Sequence, residues 1–302
     1  MEYFACKCST MKLPISPLFI LFTLPSMAAS ADAIDKSIVE RVKAATAYIE
    51  QTRRIPVAEK DLPFSGSGFF ITASGLIATN YHVVRPFVSI GYITFPAPIV
   101  GMRIIMKSGS RDYRVLKGRV VAIDKKNDLA ILETDARDVP FLAAGDMTAL
   151  SETMPVWAFG YPLGESFALM QRGPEIAVTR GTISALRHDD RGLLTIVQID
   201  AAVNPGNNGG PLIDASGNVT GIVNKVGEGA GINFAVPAHY LDSLRVKIPA
   251  DSLDSVTITV SSNPAQASIF IDRRFVGLTP LQAQLQRSLH SFVVVKKGFE
   301  YG

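Results

Sequence analysis

The chain has 302 residues, a length that allows one large domain or two modest ones. Its formal net charge is +3 and charged residues make up 19% of it, so neither a nucleic-acid-binding protein nor an acidic tail is indicated. Hydrophobic residues make up 47%, which is ordinary for a globular protein with a sizeable core.

The N-terminus has the pattern of a secretory signal peptide. Lys12 precedes an apolar run from residue 13 to residue 24, and small residues follow up to Ala31. An N-terminal membrane anchor is the alternative, but the run is shorter than the roughly 20 apolar residues that span a bilayer, and prolines interrupt it. We therefore expect a signal peptide over residues 1–31, with residues 1–10 as an over-extended start.

The cysteines agree with export. Cys6 and Cys8, the two cysteines of the chain, both lie in the predicted signal peptide, so the mature protein would have none. An oxidising compartment permits disulfides but does not require them. We expect secretion across the inner membrane to the periplasm or cell surface of a bacterium, with no integral membrane span in the mature protein.

The rest of the chain is rich in short strand-forming segments. Residues 35–42 predict an amphipathic helix, residues 45–49 a strand and residues 51–65, with two prolines, a loop. Further strand patterns lie at 68–72, 76–80, 92–95, 102–107, 113–123, 129–134, 154–159, 176–186, 193–200, 219–224 and 232–236. This density of short strands indicates an all-β fold, an antiparallel barrel or sandwich. A closing helix is expected after Pro237.

A second unit follows a linker at residues 248–254. Residues 256–260 alternate strictly, and more strands are expected at 268–272, 275–277 and 291–296, with a hairpin turn beginning at Asp272. The unit has roughly 50 residues, close to the lower size limit for a domain that folds without disulfides or metals. We expect a small β domain over 255–302 whose final strands are missing.

Three segments could form a functional site together. His82 ends a predicted strand, Asp128 opens an apolar one, and residues 204–212 form a Gly-rich loop. An aspartate behind a histidine can accept the ring N–H and fix the tautomer, and the N–H groups of such a loop can hold an oxyanion. Each has an ordinary explanation by itself: a surface histidine, a turn-capping aspartate, a plain turn. Their joint occurrence, each flanked by strands, favours one common site.

Several motifs resemble one known family. The chain reads Gly-Ser-Gly-Phe, Thr-Asn-Tyr-His-Val-Val, Asp-Lys-Lys-Asn-Asp-Leu-Ala-Ile-Leu, Phe-Gly-Tyr-Pro and Gly-Ile-Asn-Phe-Ala-Val-Pro at 66–69, 79–84, 124–132, 159–162 and 231–237. With these motifs, residues 37–247 resemble the protease domain of the HtrA/DegP group of trypsin-like serine proteases. The resemblance implies a double six-stranded antiparallel β-barrel over 35–247, unfolded proteins or peptides as ligands, and a homo-oligomer.

The same resemblance implies a role for each site residue. His82 corresponds to the general base and Asp128 to the group that orients it. The backbone N–H groups of Gly206 and Asn208 correspond to the oxyanion hole. Ala202 corresponds to the floor of the primary specificity pocket, which implies a preference for small or medium apolar side chains.

The chain departs from the family at the nucleophile. The group reads Asn-Pro-Gly-Asn-Ser-Gly-Gly-Pro where this chain has Asn-Pro-Gly-Asn-Asn-Gly-Gly-Pro, which places Asn208 at the serine's position. A carboxamide nitrogen is a poor nucleophile, and loss of the triad serine lowers turnover on the order of a million-fold. We therefore predict an inactive homologue whose cleft still binds extended peptides by strand addition, with Asn208, His82 and Asp128 in one hydrogen-bonded cluster. The alternative is an active serine endopeptidase on unfolded envelope proteins, whose natural sequence has Ser at 208.

The second unit resembles a PEGA domain. Its pattern Ser-x-Pro-x-x-Ala-x-(apolar)-x-(apolar)-Asp followed by Gly-x-Thr-Pro is present at 262–272 and 277–280, and the module implies interaction or spacing. No PDZ domain pattern follows the barrel region. No cofactor or metal is expected, because His82, His188, His239 and His290 lack the spacing of metal ligands. His188 is expected in a solvated turn and His239 on the surface of the closing helix.

Overall fold

The computed structural model describes residues 34–55, 60–90, 93–162, 164, 173–224, 232–248, 255–271, 274–286 and 292–296. The predicted signal peptide, residues 249–254 of the predicted linker, Gly231, the turn at 272–273 and His290 lie outside the described residues.

A first six-stranded barrel is formed by the N-terminal half. Its strands are β1 Thr46–Ile55, β2 Lys60–Phe70, β3 Leu76–Asn80, β6 Ile99–Met106, β7 Arg114–Asp124 and β8 Leu129–Thr134. They close in the order β1-β2-β3-β8-β7-β6, with every pairing antiparallel. A separate hairpin, β4 Phe87–Ile90 with β5 Ile93–Pro96, lies between β3 and β6 in the chain.

A second six-stranded barrel follows. Its strands are β9 Pro155–Gly160, β10 Ala177–His188, β11 Leu194–Ile199, β12 Pro211–Ile213, β13 Val219–Asn224 and β14 Asn233–Pro237. They close in the order β10-β11-β14-β13-β12-β9. The expectation of an all-β, double six-stranded antiparallel barrel is confirmed.

The described residues also form α1 Lys36–Ala45, α2 Tyr81–Val84, α3 Tyr240–Arg245 and a single 3-10 turn at Met147–Ala149. Asp35 caps α1, because its carboxylate accepts a hydrogen bond of 2.7 Å from the Ser37 N–H. Within the described ranges, no helix has the length and apolar character needed to cross a bilayer.

One apolar cluster joins the two barrels with α1 and α3. Phe69 and Ile131 belong to the first barrel, Phe159 and Ile222 to the second, and Leu244 to α3, and all five are fully buried in this cluster. The two barrels therefore share a core, so side chains that project from either barrel at their junction are held in a fixed relation.

The C-terminal residues form two small antiparallel sheets. The strands are β15 Ser255–Val260, β16 Ser268–Ile271, β17 Arg274–Leu278, β18 Leu281–Gln286 and β19 Phe292–Val295. β15 pairs with β18, while β16 lies between β17 and β19. The predicted small β unit is present, and β18 was missed because its sequence, Leu-Gln-Ala-Gln-Leu-Gln, contains no β-branched residue.

The prediction of a loop over residues 51–65 is wrong. β1 continues to Ile55 and β2 begins at Lys60, with Thr52 opposite Pro63. A proline fits there because the Ser67 N–H donates away from β1, to the Asn208 carbonyl, and the N–H position of residue 63, four residues earlier in the strand, faces the same side. On that side β3 pairs only with Phe69 and Phe70 of β2, so no named strand requires the N–H that proline lacks.

The prediction that His239 lies on the surface of the closing helix holds only in part, because the residue is half-buried. His239 precedes α3, its ring centroid lies 4.2 Å from that of Tyr240, and its Nε2 is buried without a hydrogen-bond partner among the described residues. Burial lowers the pKa of His239 below its ordinary value, and the charge of Asp242 only partly opposes this.

We predict that His239 makes stability pH-dependent. Its pKa is lower in the folded state, so the unfolded chain binds the extra proton first, and the free energy of unfolding falls as the pH drops from neutrality through about 6.5, the pKa of an unperturbed histidine. Urea unfolding across this range should show a smaller loss for His239→Gln than for the wild type. Equal losses in the two proteins would contradict the assignment.

The shared core gives a second prediction. Leu244→Ala should lower the free energy of unfolding by about 2–5 kcal/mol, because the fully buried side chain leaves a cavity. Val246→Ala, two residues further along the chain and 58% exposed, is the control and should change it by less than about 0.5 kcal/mol. Urea unfolding of both variants measures the difference, and similar losses would show that α3 is not part of the core.

Candidate functional site

His82 is presented by the short helix α2 rather than by the end of a strand as predicted. The chain turns from β3 into α2 because Val83 and Val84 are buried in the core of the first barrel. A hydrogen bond to the residue just before β8 holds this turn, since the Tyr81 N–H donates to the Asp128 carbonyl at 3.0 Å. The His82 side chain remains 31% exposed, so the ring is both anchored and accessible.

Asp128 lies directly behind the His82 ring. Its carboxylate accepts from the His82 backbone N–H at 2.8 Å and contacts His82 Nδ1 at 2.6 Å. A third contact comes from Asn224 Nδ2 at 3.0 Å. Three donors therefore hold this carboxylate in one orientation. The backbone of Asp128 has a left-handed φ of 52°, a conformation that aspartate tolerates better than most residues.

Asn224 was not predicted as a site residue. It ends β13 in the second barrel, whereas Asp128 precedes β8 in the first. The only sequence signal was a polar residue at the end of a predicted apolar strand. Its contact with Asp128 depends on how the barrels pack, which the sequence pattern does not give.

A buried arginine fixes the other end of α2. The Val83 carbonyl accepts from Arg53 at 2.6 Å and also from Gln51 Nε2. Arg53 is 3% exposed and lies over the Phe64 ring. Burial, and secondly the charge of Arg85, lower the pKa of Arg53 to about 10. Both Arg53 and Gln51 lie in the segment wrongly predicted as a loop, so their role was missed.

The Gly-rich loop begins with a tight turn. The Asn207 N–H donates to the Asn204 carbonyl at 3.0 Å, and Gly206 has a φ of 99°. Pro205 followed by a glycine with positive φ is the pattern of a type II turn. The turn type sets the orientation of the central peptide group, and therefore of the Gly206 N–H.

Ser67 pins this loop to the first barrel. Its N–H donates to the Asn208 carbonyl at 2.9 Å, and its hydroxyl donates to the Gly206 carbonyl at 2.7 Å. The Tyr161 N–H donates to the same hydroxyl at 3.0 Å. Ser67 is fully buried, so these hydrogen bonds are protected from water.

Asn208 contacts the free edge of the His82 ring. The distance between Asn208 Nδ2 and His82 Nε2 is 3.1 Å. Because the Asp128 carboxylate can only accept, His82 Nδ1 carries the proton, and Nε2 of the neutral ring accepts from the Asn208 amide. The structure thus brings His82, Asp128 and Asn208 into one hydrogen-bonded row.

The backbone of Asn208 is oriented by a neighbouring bond. The Gly210 N–H donates to the Asn207 carbonyl at 2.9 Å. In a trans peptide the C=O and the following N–H point in opposite directions, so the Asn208 N–H points away from buried Gly210.

Ala202, the residue predicted for the specificity pocket, precedes this loop in the chain. It is exposed, and its carbonyl accepts from Thr179 Oγ1 at 2.9 Å.

No metal centre is apparent where the structure is described, since no three His, Cys, Asp or Glu side chains there are grouped to hold an ion. The site offers a base, amide groups and backbone donors.

A family model described as a trypsin-like peptidase domain matches residues 66–222, just over half of the chain. The chain belongs to the trypsin-like peptidase family. A second model, described as a PEGA domain, matches residues 255–301, in agreement with the small C-terminal sheets of this family member.

Individual relatives of this trypsin-like domain are HtrA and DegP proteins. The chain is 33% identical over 180 residues to a putative serine protease HhoB from Synechocystis sp., which covers 57% of this chain and 37% of that protein. It is 30% identical over 219 residues to a probable periplasmic serine endoprotease DegP-like from Marinomonas sp., covering 69% and 41%. The chain thus spans about two fifths of the length of these relatives.

The glycines of the loop give a testable prediction. A Cβ at Gly209 would collide with the Ser67 carbonyl and the Thr79 hydroxyl, and Gly209 has a φ of 86°. Gly192 is a matched control, because it also has a positive φ, 76°, but its Cβ would meet nothing within 4 Å. Gly192→Ala should cost about 1–2 kcal/mol for the conformation alone, whereas Gly209→Ala should cost about 1–3 kcal/mol more through overpacking. Urea unfolding compares them, and equal losses would refute the close approach of loop and barrel.

Proposed function

We propose that this trypsin-like domain is a catalytically inactive HtrA-type homologue that binds peptides or partner proteins without cutting them. The observation that supports this is the contact between Asn208 and His82 Nε2, where an active enzyme needs a hydroxyl. An amide has no proton that the imidazole could remove to make a competent nucleophile.

The proposal assigns each site residue a role. His82 and Asp128 hold the Asn208 side chain in place, and the N–H groups of Gly206 and Asn208 form the oxyanion hole for a substrate carbonyl. Ala202, which is exposed, floors a pocket for small or medium apolar side chains. The type II turn and the Gly210 hydrogen bond support the donor role, because they fix the orientation of both peptide groups.

Domain organisation, export, ligands and assembly belong to the same proposal. We assign residues 35–247 to the peptidase-like domain, 248–254 to a linker and 255–302 to a PEGA-like module for interaction or spacing. The signal-peptide pattern over 1–31 and relatives whose names include "periplasmic" support export to the bacterial envelope. Unfolded proteins or peptides are the expected ligands, and a homo-oligomer is the expected assembly.

The alternative is an active serine endopeptidase whose natural sequence has Ser at 208. One observation favours it: the 2.6 Å contact from Asp128 to His82 Nδ1 keeps the base in the orientation that catalysis requires. The two hypotheses differ at a single residue, so resequencing the gene separates them directly.

A cleavage assay tests the proposed inactivity. With casein as substrate, the wild-type protein should show no cleavage, while Asn208→Ser should restore activity by up to about 10⁶-fold. His82→Ala in the Asn208→Ser background should abolish it, which shows that the new activity uses the imidazole. Cleavage by the wild type that disappears with His82→Ala would overturn the proposal. Failure of the wild type to bind casein would contradict the binding role.

A further inference from the structure

A row of two aromatic rings with a cation at each end lies beside His82. Lys125 Nζ lies 6.0 Å from the centroid of the Tyr81 ring, and the Tyr81 and Phe87 rings meet edge-on with 6.4 Å between their centroids. At the other end, Arg85 Cζ lies 4.8 Å from the centroid of the Phe87 ring. Tyr81 begins α2 and Arg85 directly follows it, so both are neighbours of His82. We call Lys125, Tyr81, Phe87 and Arg85 the α2 rim.

Neither cation of the α2 rim has a carboxylate partner among the residues that the structure describes. The ion pairs of those residues are formed by other side chains. Arg85 is half-buried, and its Nε is buried with no hydrogen-bond partner in the described ranges. Lys125 is exposed to solvent. Because a partly buried charge without a counter-charge costs free energy, Arg85 is left unsatisfied in the free protein.

A second arginine adds positive charge at the rim. Arg53 Nη1 donates to the Phe87 carbonyl at 3.4 Å, so the guanidinium groups of Arg53 and Arg85 contact the same residue. The charge of Arg85 lowers the pKa of Arg53, which indicates that the two cations are close enough to repel each other. Arg53 is almost fully buried. Its described hydrogen bonds go to neutral acceptors, on Gln51, Val83 and Phe87, so its charge is not balanced either.

The two carboxylates nearest to Lys125 in the chain are engaged by other donors. Asp128 accepts from His82 and from Asn224. Asp124 accepts two hydrogen bonds from Asn127, at 3.2 and 2.7 Å. The α2 rim therefore carries excess positive charge beside an imidazole ring that is partly exposed, and charge complementarity favours an anionic ligand there.

We propose that the α2 rim selects peptides with acidic side chains. Arg85 and Lys125 pair with the aspartate or glutamate carboxylates of a bound peptide, and the two rings between them pack against the apolar stems of those side chains. A guanidinium presents a planar fork of N–H donors that fits a carboxylate. This inference rests on the proposed peptide-binding function and specifies its ligand as an acidic segment.

Two peptides that differ only in charge test the proposal on the full chain. The first is an N-terminally fluorescent, C-terminally amidated nonapeptide in which glutamate and alanine alternate on both sides of a central valine. The second has glutamine at every glutamate. Fluorescence anisotropy at low salt should give at least about fivefold tighter binding of the acidic peptide, the size of one favourable ion pair, and the ratio should shrink as salt is added.

The outcomes separate this inference from the proposed function. Equal affinity for both peptides would overturn the acidic preference while leaving peptide binding intact. Absence of binding by both, together with failure to bind casein, would overturn both. Tighter binding of a labelled single-stranded DNA oligonucleotide, lost when the cations of the rim are replaced, would assign these cations to nucleic acid and also overturn the inference.

Charge-neutral variants test which residues carry the preference. Arg85→Gln should abolish the difference between the two peptides, and Lys125→Gln, at an exposed position that tolerates substitution, should reduce it by at least about twofold. Arg274→Gln and Lys36→Gln remove exposed cations from the C-terminal sheets and from α1, and as matched controls they should leave the ratio unchanged. An unchanged ratio in both rim variants would contradict the proposal.

A charge reversal separates recognition from damage to the fold. Arg85→Glu should invert the preference, so that a version of the peptide with lysine at every glutamate binds more tightly than the acidic one. A variant that merely unfolds loses affinity for all the peptides alike. Retention of the acidic preference by folded Arg85→Glu would show that Arg85 does not contact the ligand.

Discussion

The site depends on the carboxylate of Asp128, which fixes the imidazole of His82 and thereby the amide of Asn208. Asp128 and His82 belong to the first barrel, while Asn208 and Asn224 belong to the second. The row of hydrogen bonds therefore forms only because the two barrels share a core. Mutations that loosen this core change the site without touching any of its residues.

Close approach between the loop and the first barrel is the second constraint. Ser67 makes three hydrogen bonds in the gap between them. At the neighbouring Gly66 there is no room for a side chain, because a Cβ there would collide with the Val83 side chain. A Cβ at Gly209 would collide with the Ser67 carbonyl oxygen of the first barrel, and a Cβ at Gly210 would collide with the Phe159 carbonyl oxygen of β9 in the second barrel. The glycine motifs that first suggested an oxyanion-binding loop thus serve the packing of that loop as well. The fold therefore requires these glycines whatever residue lies at position 208.

The sequence predicted the parts of the site that are encoded locally. His82, Asp128 and the loop at 204–212 were identified because each is a short motif beside a strand. Most barrel strands were predicted within a few residues because their apolar patterns are strong, but β1 and β2 were predicted too short because of the loop wrongly expected at 51–65. Asn224, Arg53 and Gln51 were missed, since their contacts join distant segments and two of them lie where Pro63 suggested a loop. β12, only three residues long, lacks a pattern of its own and is defined by its neighbours β9 and β13.

The protonation state of the His82 ring tests the central claim most directly, because every role assigned to Asn208 follows from it. ¹⁵N NMR of the histidine-labelled protein distinguishes a protonated from an unprotonated ring nitrogen. The account predicts that at neutral pH His82 has its proton on Nδ1, toward Asp128, and an unprotonated Nε2 that accepts from Asn208. If Nε2 carried the proton and Nδ1 did not, Asn208 would have to face Nε2 with its Oδ1 acceptor rather than with Nδ2. That result would contradict the account.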